Sequence, residues 1–224
     1  AEIDSVILLT TNGQQKDVQD AIEILSQKYS NELHFYNLSA TCFSERGKFI
    51  AVIKCYQRVL DIKPESAEVH NDLGLAFHSL SRFDEAIQSF SKAFTLKPDY
   101  AEAYFNVGIT LNRIGQLDTA INSYQIALKI NPTFAGAHNN LGNTLSDLGQ
   151  LDKAINNFIQ AINIKPDYVD AYNNYGITLK KLGQFNAAIK IYKKALAINP
   201  DYALGHYNLG NIYKDLGQLD IAIK

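Results

Sequence analysis

Four asparagines recur at one fixed spacing in this chain of 224 residues, and their side chains suggest a binding chemistry. These ladder asparagines are Asn106, Asn140, Asn174 and Asn208, and Asp72 stands one equal step earlier in the same register. A carboxamide offers two N–H donors and one oxygen acceptor. It can therefore pair with the N–H and C=O groups of an extended peptide whatever the peptide's sequence. Alternatively, the same carboxamides could bridge neighbouring helices of the chain itself.

Further polar residues lie close to this register and could complete a peptide-binding surface. They are Asn139, Asn143, Asn173, Lys180, Lys181 and Lys214. The lysines could favour an acidic ligand. Aspartates stand nearby in the sequence, however, and a pair of lysines on a helix is more typical of a solvated face. We therefore predict binding by hydrogen bonds rather than by net charge.

No pattern in the chain indicates catalysis, a metal ion or a cofactor. The histidines His70, His138 and His206 recur at twice the spacing of the asparagines, which is too far for them to share a metal ion. The chain contains no H-E-x-x-H motif, phosphate-binding loop or nucleophile elbow. The two cysteines, Cys42 and Cys55, are interpreted as packing residues of a reducing compartment, which predicts a cytoplasmic location. We accordingly predict that the chain is not an enzyme and needs no cofactor.

The composition excludes several classes of protein. With 46% hydrophobic and 20% charged residues, the chain is too apolar to be intrinsically disordered. Its formal net charge is −2 and the two signs are interspersed, so no electrostatic footprint for nucleic acid is present. No apolar run is long enough to cross a membrane. A protein or peptide is the predicted partner.

The prolines and glycines show that the whole chain follows the period of the ladder. All five prolines keep the same spacing, at Pro64, Pro98, Pro132, Pro166 and Pro200. A repeat of about 34 residues is too short to bury a core alone, so successive copies must stack. We predict a single solenoid over residues 1–224. Its parts are a degenerate repeat 1–32 that caps the stack, the full repeats 33–66, 67–100, 101–134, 135–168 and 169–202, and a truncated repeat 203–224.

Repeat 135–168 illustrates the predicted local structure. Apolar residues recur at helical spacing in each half, and Gly149 interrupts the pattern between the halves. Each repeat is therefore predicted to be helix A, a short turn, helix B and a second short turn, with Gly149 at positive φ in the first turn. We expect Gly142 of helix A to face Ala154 and Ala161 of helix B. No segment alternates with a period of two over strand length, so no sheet is predicted.

These features resemble the tetratricopeptide repeat (TPR) family. Repeat 101–134 carries the family pattern as Tyr104, Val107, Gly108, Leu111, Ala120, Tyr124, Ala127 and Pro132. The resemblance implies an all-α fold, a right-handed superhelical solenoid of helix-turn-helix repeats. It also implies that the A helices line a concave groove, with the ladder asparagines facing inward. The function implied is that of a protein–protein interaction scaffold that binds an extended peptide segment of a partner in this groove.

Two other functions stay open at this stage. The asparagine ladder is similar to that of the repeat arm of protein O-linked N-acetylglucosamine transferases, so the chain could be the substrate-recruiting arm of a larger enzyme. Nothing in the chain resembles the catalytic part of those enzymes. The last repeat stops early in its helix B, and we expect either further protein beyond Lys224 or a neighbouring chain to cover it. The third possibility is therefore a homo-oligomer that assembles through exposed terminal repeats.

Overall fold

The computed structural model describes residues 33–218, and all the regular secondary structure in them is α-helical. The predictions for residues 1–32, and for the truncated repeat after residue 218, lie outside the described residues. The described part contains eleven helices, which we number in chain order. They are α1 Leu33–Glu45, α2 Phe49–Ile62, α3 Ala67–Ser79, α4 Phe83–Leu96, α5 Ala101–Arg113, α6 Leu117–Ile130, α7 Ala135–Asp147, α8 Leu151–Ile164, α9 Val169–Lys181, α10 Phe185–Ile198 and α11 Ala203–Asp215.

Between residues 33 and 218 the helices alternate in length as the repeat does. Each helix A has 13 residues and each helix B has 14, as α7 and α8 show. Helix α8 ends at Ile164 because Pro166 follows, and proline can neither donate a backbone hydrogen bond nor fit into the preceding turn. The N–H of Lys165 closes the last turn on the carbonyl oxygen of Ala161, at 2.9 Å. Proline therefore sets where each helix B ends.

The turn between helix A and helix B requires a left-handed backbone conformation. Gly149 has φ of 74°, and the N–H of Gln150 donates to the carbonyl oxygen of Leu145 at 2.9 Å across the turn. Glycine adopts this conformation at no steric cost because it lacks a Cβ. The prediction of positive φ at Gly149 is confirmed. The equivalent turn of repeat 67–100 contains Ser81, which adopts the same conformation with φ of 58°.

The core between the two helices of a repeat is built from small residues around one aromatic ring. In helix α8, Ala154, Phe158 and Ala161 are all fully buried. A Cβ on Gly142 would lie 2.7 Å from Cε1 of Phe158, and the nearest atoms around it all belong to that ring. The expectation that Gly142 faces the two alanines was therefore wrong. The phenylalanine lies between them on the same face of α8, and its larger side chain fills the space opposite the glycine.

The chain divides into two compact units, Ala1–Thr110 and Leu111–Lys224, which we call the N-terminal and C-terminal units. In the described part of the N-terminal unit, α1 packs on α2, α2 on α3 and α3 on α4. In the C-terminal unit each helix from α7 to α11 packs on the next, and the A helices α7, α9 and α11 also contact one another in order. Packing of each element on its sequence neighbours is the mark of a solenoid. The predicted all-α solenoid of helix-turn-helix repeats is confirmed.

Two further sequence features are accounted for within the described residues. Both cysteine side chains are buried, and burial raises the pKa of the Cys55 thiol to about 11, so this thiol stays protonated at neutral pH. This environment agrees with the interpretation of Cys55 as a packing residue. Of the helices between residues 33 and 218, none combines the length and the apolar character needed to cross a membrane.

Candidate functional site

Two of the three ladder asparagines of the C-terminal unit hydrogen-bond to a second asparagine in the preceding repeat. Nδ2 of Asn174 donates to Oδ1 of Asn139 at 3.0 Å, and Nδ2 of Asn208 donates to Oδ1 of Asn173 at 2.8 Å. The acceptors Asn139 and Asn173 are each only 5% exposed, whereas the ladder asparagines are half-buried. Two of the predicted site residues therefore lie between repeats, where they hold the ladder side chains in place.

The same bridge occurs in the N-terminal unit, where Nδ2 of Asn106 donates to Oδ1 of the buried Asn71 at 2.9 Å. Asn140 differs because the corresponding position of the preceding repeat holds Phe105, which has no side-chain acceptor. Its Oδ1 accepts instead from Nδ2 of Asn139 at 3.2 Å, and its side chain also hydrogen-bonds to Tyr124. Ladder asparagines therefore bridge neighbouring helices, which is one of the two roles considered for them.

Bridging does not use up the hydrogen-bonding capacity of a ladder asparagine. The carboxamide carries two N–H donors and two acceptor lone pairs. The bond from Asn174 to Asn139 uses one donor only. Asn174 is half-buried and lines a cavity, so part of its side chain is accessible to a ligand. A bridging role and a binding role are thus compatible at this position.

A second row of hydrogen bonds, which sequence reasoning missed, runs parallel to the ladder. Thr144 and Thr178 of the C-terminal unit are almost completely buried. Nδ2 of Asn112 donates to Oγ1 of Thr144 at 2.6 Å, and the hydroxyls of Thr178 and Ser146 lie 3.1 Å apart. The signal available in the sequence was a threonine that recurs with the period of the ladder, one helical turn after each of three ladder asparagines.

A cavity of about 360 Å³ opens on the A-helix face of the C-terminal unit, and we call it the C-terminal cavity. Its lining residues are Asn112, Asn143, Ser146, Asp147, Asn174, Ile177, Thr178 and Lys181. Three of the predicted site residues, Asn143, Asn174 and Lys181, therefore meet here. The lining combines carboxamides, hydroxyls and one aliphatic side chain, which suits a peptide backbone with small side chains.

The predicted lysines are largely neutralised by carboxylates. Nζ of Lys181 lies 3.6 Å from Oδ1 of Asp147 and donates to Oγ of Ser146 at 3.1 Å. Nζ of Lys180 lies 2.7 Å from Oδ2 of Asp215. Lys214 is exposed in the last turn of α11. The lysine pair therefore presents no net positive patch for an acidic ligand, as the nearby aspartates in the sequence had suggested.

Asp72 lies in a separate cavity of about 300 Å³ within the N-terminal unit, the N-terminal cavity. Oη of Tyr56 donates to Oδ2 of Asp72 at 3.3 Å, and Nδ2 of Asn71 donates to Oδ1 at the same distance. Burial raises the pKa of the Asp72 carboxyl above its ordinary value, and the two hydrogen bonds oppose this shift. Asp72 thus differs from the ladder asparagines in charge as well as in surroundings.

The chemistry available to these surfaces is hydrogen bonding, apolar contact and charge pairing. Between residues 33 and 218 no three histidine, cysteine, aspartate or glutamate side chains are grouped so that they could hold a metal ion. The polar groups that converge in the two cavities are mostly carboxamides and hydroxyls. Such groups suit recognition of a polypeptide.

Comparison with known families assigns the chain. Five overlapping segments match the family model described as TPR repeat, namely residues 43–81, 74–115, 111–149, 142–183 and 178–217. These matches span most of the chain. The protein therefore belongs to the tetratricopeptide repeat family. No catalytic family is indicated by this comparison.

Solved structures of TPR proteins share the fold. A crystal structure of MamA has 30% sequence identity to this chain and a TM-score of 0.66. The match covers 76% of this chain and 93% of MamA. The structure of YrrB, described as a TPR protein with an unusual peptide-binding site, is 22% identical and covers 84% of this chain and 96% of YrrB at a TM-score of 0.63. MamA from Desulfovibrio magneticus RS-1 has 19% sequence identity to this chain and a TM-score of 0.69. The match covers 76% of this chain and 97% of that MamA chain. No curated protein matches the chain.

Proposed function

We propose that this chain is a non-catalytic scaffold that binds an extended segment of a partner protein along the ladder face. We define this face as the side of α7, α9 and α11 that carries the ladder asparagines of the C-terminal unit. The observation that carries the proposal is the C-terminal cavity, where Asn143 and Asn174 meet beside Ile177. TPR proteins bind protein partners, and YrrB is a TPR protein with an unusual peptide-binding site.

The repeat spacing suits an extended peptide. Packed helices lie about 8–10 Å apart, so ladder side chains on successive A helices recur on roughly that scale. An extended chain advances ~3.3 Å per residue. One ladder asparagine would therefore meet about every third residue of the peptide. This register lets a carboxamide pair with the peptide backbone while the intervening side chains contact the cavity walls.

The expected binding is weak and tolerant of sequence. Each hydrogen bond contributes about 0.5–1.5 kcal/mol net, whereas ordering one peptide residue costs about 1–2 kcal/mol. Backbone hydrogen bonds alone therefore cannot hold a peptide tightly. Affinity must come from side chains that enter the cavities, and the polypeptide partner must supply them.

The proposal is tested by screening an array of short unstructured peptides and measuring the selected binders by fluorescence anisotropy. Asn143→Ala is the informative variant because Asn143 lines the C-terminal cavity and is not one of the bridging pairs. Removing one hydrogen bond should weaken binding roughly twofold to tenfold. Asn174→Ala is a poorer choice because it would also leave the buried oxygen of Asn139 without its donor.

A matched control is Asn156→Ala, which removes the same side chain from an exposed position on helix α8. We expect this variant to bind like the unmodified protein. Equal affinity of the unmodified protein and Asn143→Ala, with circular dichroism showing an intact fold, would overturn the proposed face. Failure of every peptide on the array to bind would overturn the proposed function.

The other possibilities raised by the sequence stay predictions. They are the substrate-recruiting arm of a larger enzyme and a homo-oligomer that forms through terminal repeats. The cytoplasmic location and the division into one solenoid with a degenerate first repeat are further predictions from the sequence. None of them is needed for the peptide-binding proposal.

A further inference from the structure

Repeat 67–100 departs from its neighbours at two positions that lie one helical turn apart. At the ladder position it carries Asp72 where the next four repeats carry asparagine. One turn further on it carries Ala76. The four following repeats carry a larger, almost fully buried residue there: Thr110, Thr144, Thr178 and Ile212. The first change introduces a negative charge, and the second removes side-chain volume beside it.

The smaller residue coincides with a cavity that reaches a helix B as well as the A helices. The N-terminal cavity is lined not only by A-helix residues but also by Phe49, Val52 and Tyr56 of helix α2. The C-terminal cavity, by contrast, has a threonine in its lining and is formed by A-helix residues only. Leu75, which also lines the N-terminal cavity, is 42% exposed. The result is a well of about 300 Å³ whose lining includes apolar side chains from both helices.

The charge in this well has no cationic partner among the described residues that line it. Asp72 and Glu45 both line the cavity, and no lysine or arginine between residues 33 and 218 does. The hydrogen bonds to Asp72 come from the neutral donors Tyr56 and Asn71, each at 3.3 Å. A third carboxylate, Glu68, raises the pKa of Asp72 further and lies 3.9 Å from the ammonium group of a lysine outside the cavity. The described lining of the well therefore combines apolar side chains with hydroxyls and two carboxylates.

A partly buried carboxylate without a cation destabilises the protein that carries it. Burial disfavours the charged form, which is why the pKa of Asp72 is raised. The four following repeats avoid this cost with an asparagine of nearly the same shape. A bound cation would offset it, because a charge-assisted hydrogen bond is about twice as strong as a neutral one.

We propose that the N-terminal cavity is a specificity pocket for a lysine or arginine side chain of the partner protein. The methylene stem would lie against Val52, Phe49 and Leu75, and the charged end would pair with Asp72. Long basic side chains bury their stems in this way while the charge keeps a polar partner. The inference rests on the proposed function, since it assigns one residue type of the same extended partner.

The test uses peptides from the array that bind the unmodified protein and contain one lysine or arginine. Each is compared by fluorescence anisotropy with a copy that has norleucine at that position, which keeps the stem and removes the charge. We expect the basic peptide to bind about tenfold more tightly or better. Two variants restore the residues of the other repeats and are therefore expected to fold: Asp72→Asn removes the charge and Ala76→Thr narrows the well. The control is Asp84→Asn, which removes an exposed carboxylate from the first turn of α4 in the same unit.

The expected pattern separates charge from shape. Asp72→Asn should abolish the preference for the basic peptide and leave binding of the norleucine peptide unchanged. Ala76→Thr should weaken both peptides, and Asp84→Asn should change neither. Equal binding of the basic and norleucine peptides to the unmodified protein would overturn the pocket and leave the proposed function standing. A preference that survives in Asp72→Asn would overturn the pocket as well.

Discussion

Replacing Tyr192 by phenylalanine should stabilise the protein, although it removes a polar group. The Tyr192 ring is fully buried against Gly176, where an added Cβ would lie 2.5 Å from the ring atom Cε1. Its hydroxyl is the one buried side-chain oxygen in the described residues with no hydrogen-bond partner. The equivalent position one repeat earlier is occupied by Phe158, which is equally buried. Tyr192→Phe therefore recreates a packing arrangement that the chain already contains.

The magnitude follows from the cost of an unsatisfied buried group, which is about 1–3 kcal/mol. Tyr192→Phe should raise the free energy of unfolding by up to that amount. Tyr124→Phe is the matched control, because the Tyr124 side chain is equally buried but hydrogen-bonds to Asn140. Losing that bond should lower the free energy of unfolding by about 0.5–1.5 kcal/mol. The same substitution is thus expected to change the free energy of unfolding in opposite directions at positions two repeats apart.

Urea denaturation followed by circular dichroism measures both variants. The midpoint should rise for Tyr192→Phe and fall for Tyr124→Phe, while the slope with urea stays constant because the exposed surface on unfolding does not change. A lower midpoint for Tyr192→Phe would refute the reasoning. A shift of the same sign in both variants would show that ring packing, rather than the hydroxyl, decides stability at this position.

Three further predictions concern the packing and the ladder. Gly142→Leu should lower the free energy of unfolding by about 1–3 kcal/mol or more, since even a Cβ would lie 2.7 Å from the Phe158 ring. Thermal melting measures this change, and an unchanged melting temperature would contradict the packing described. Ser81→Gly should raise the free energy of unfolding by about 1 kcal/mol because φ of 58° is unfavourable for a residue with a side chain. A lower midpoint of urea denaturation would argue against strain at this turn. Asn174→Ala should lower the free energy of unfolding by about 1–3 kcal/mol because Oδ1 of the buried Asn139 loses its donor. An unchanged midpoint of urea denaturation would show that the bridge contributes nothing to stability.

Much of the fold could be predicted because the residues that end helices and form turns recur from repeat to repeat. Pro166 and Gly149 act through the backbone alone, by a missing donor and a missing Cβ, so their effects do not depend on distant parts of the chain. The helix ends and the positive φ followed directly from them. The partner of Gly142 could not be predicted in the same way. It depends on how far helix α8 is rotated about its axis, and only the packed structure shows that Phe158 fills that space.

The spacing of the ladder asparagines placed them at equivalent positions of successive A helices, but it could not predict their hydrogen-bond partners. The role of Asn139 as a buried acceptor depends on side-chain geometry across two repeats. The N-terminal cavity was missed for a different reason. Its signal lies in departures from the repeat, Asp72 and Ala76, whereas the pattern analysis followed the residues that recur.

The central claim is that the ladder face of the C-terminal unit holds an extended peptide. The most direct measurement is two-dimensional ¹H–¹⁵N NMR of the asparagine side-chain NH₂ signals during titration with a peptide selected from the array. The claim predicts that the signals of Asn143 and Asn174 shift in step with binding, while the signal of Asn156 on helix α8 stays in place. Saturable binding that moves the Asn156 signal and leaves those of Asn143 and Asn174 unchanged would contradict it.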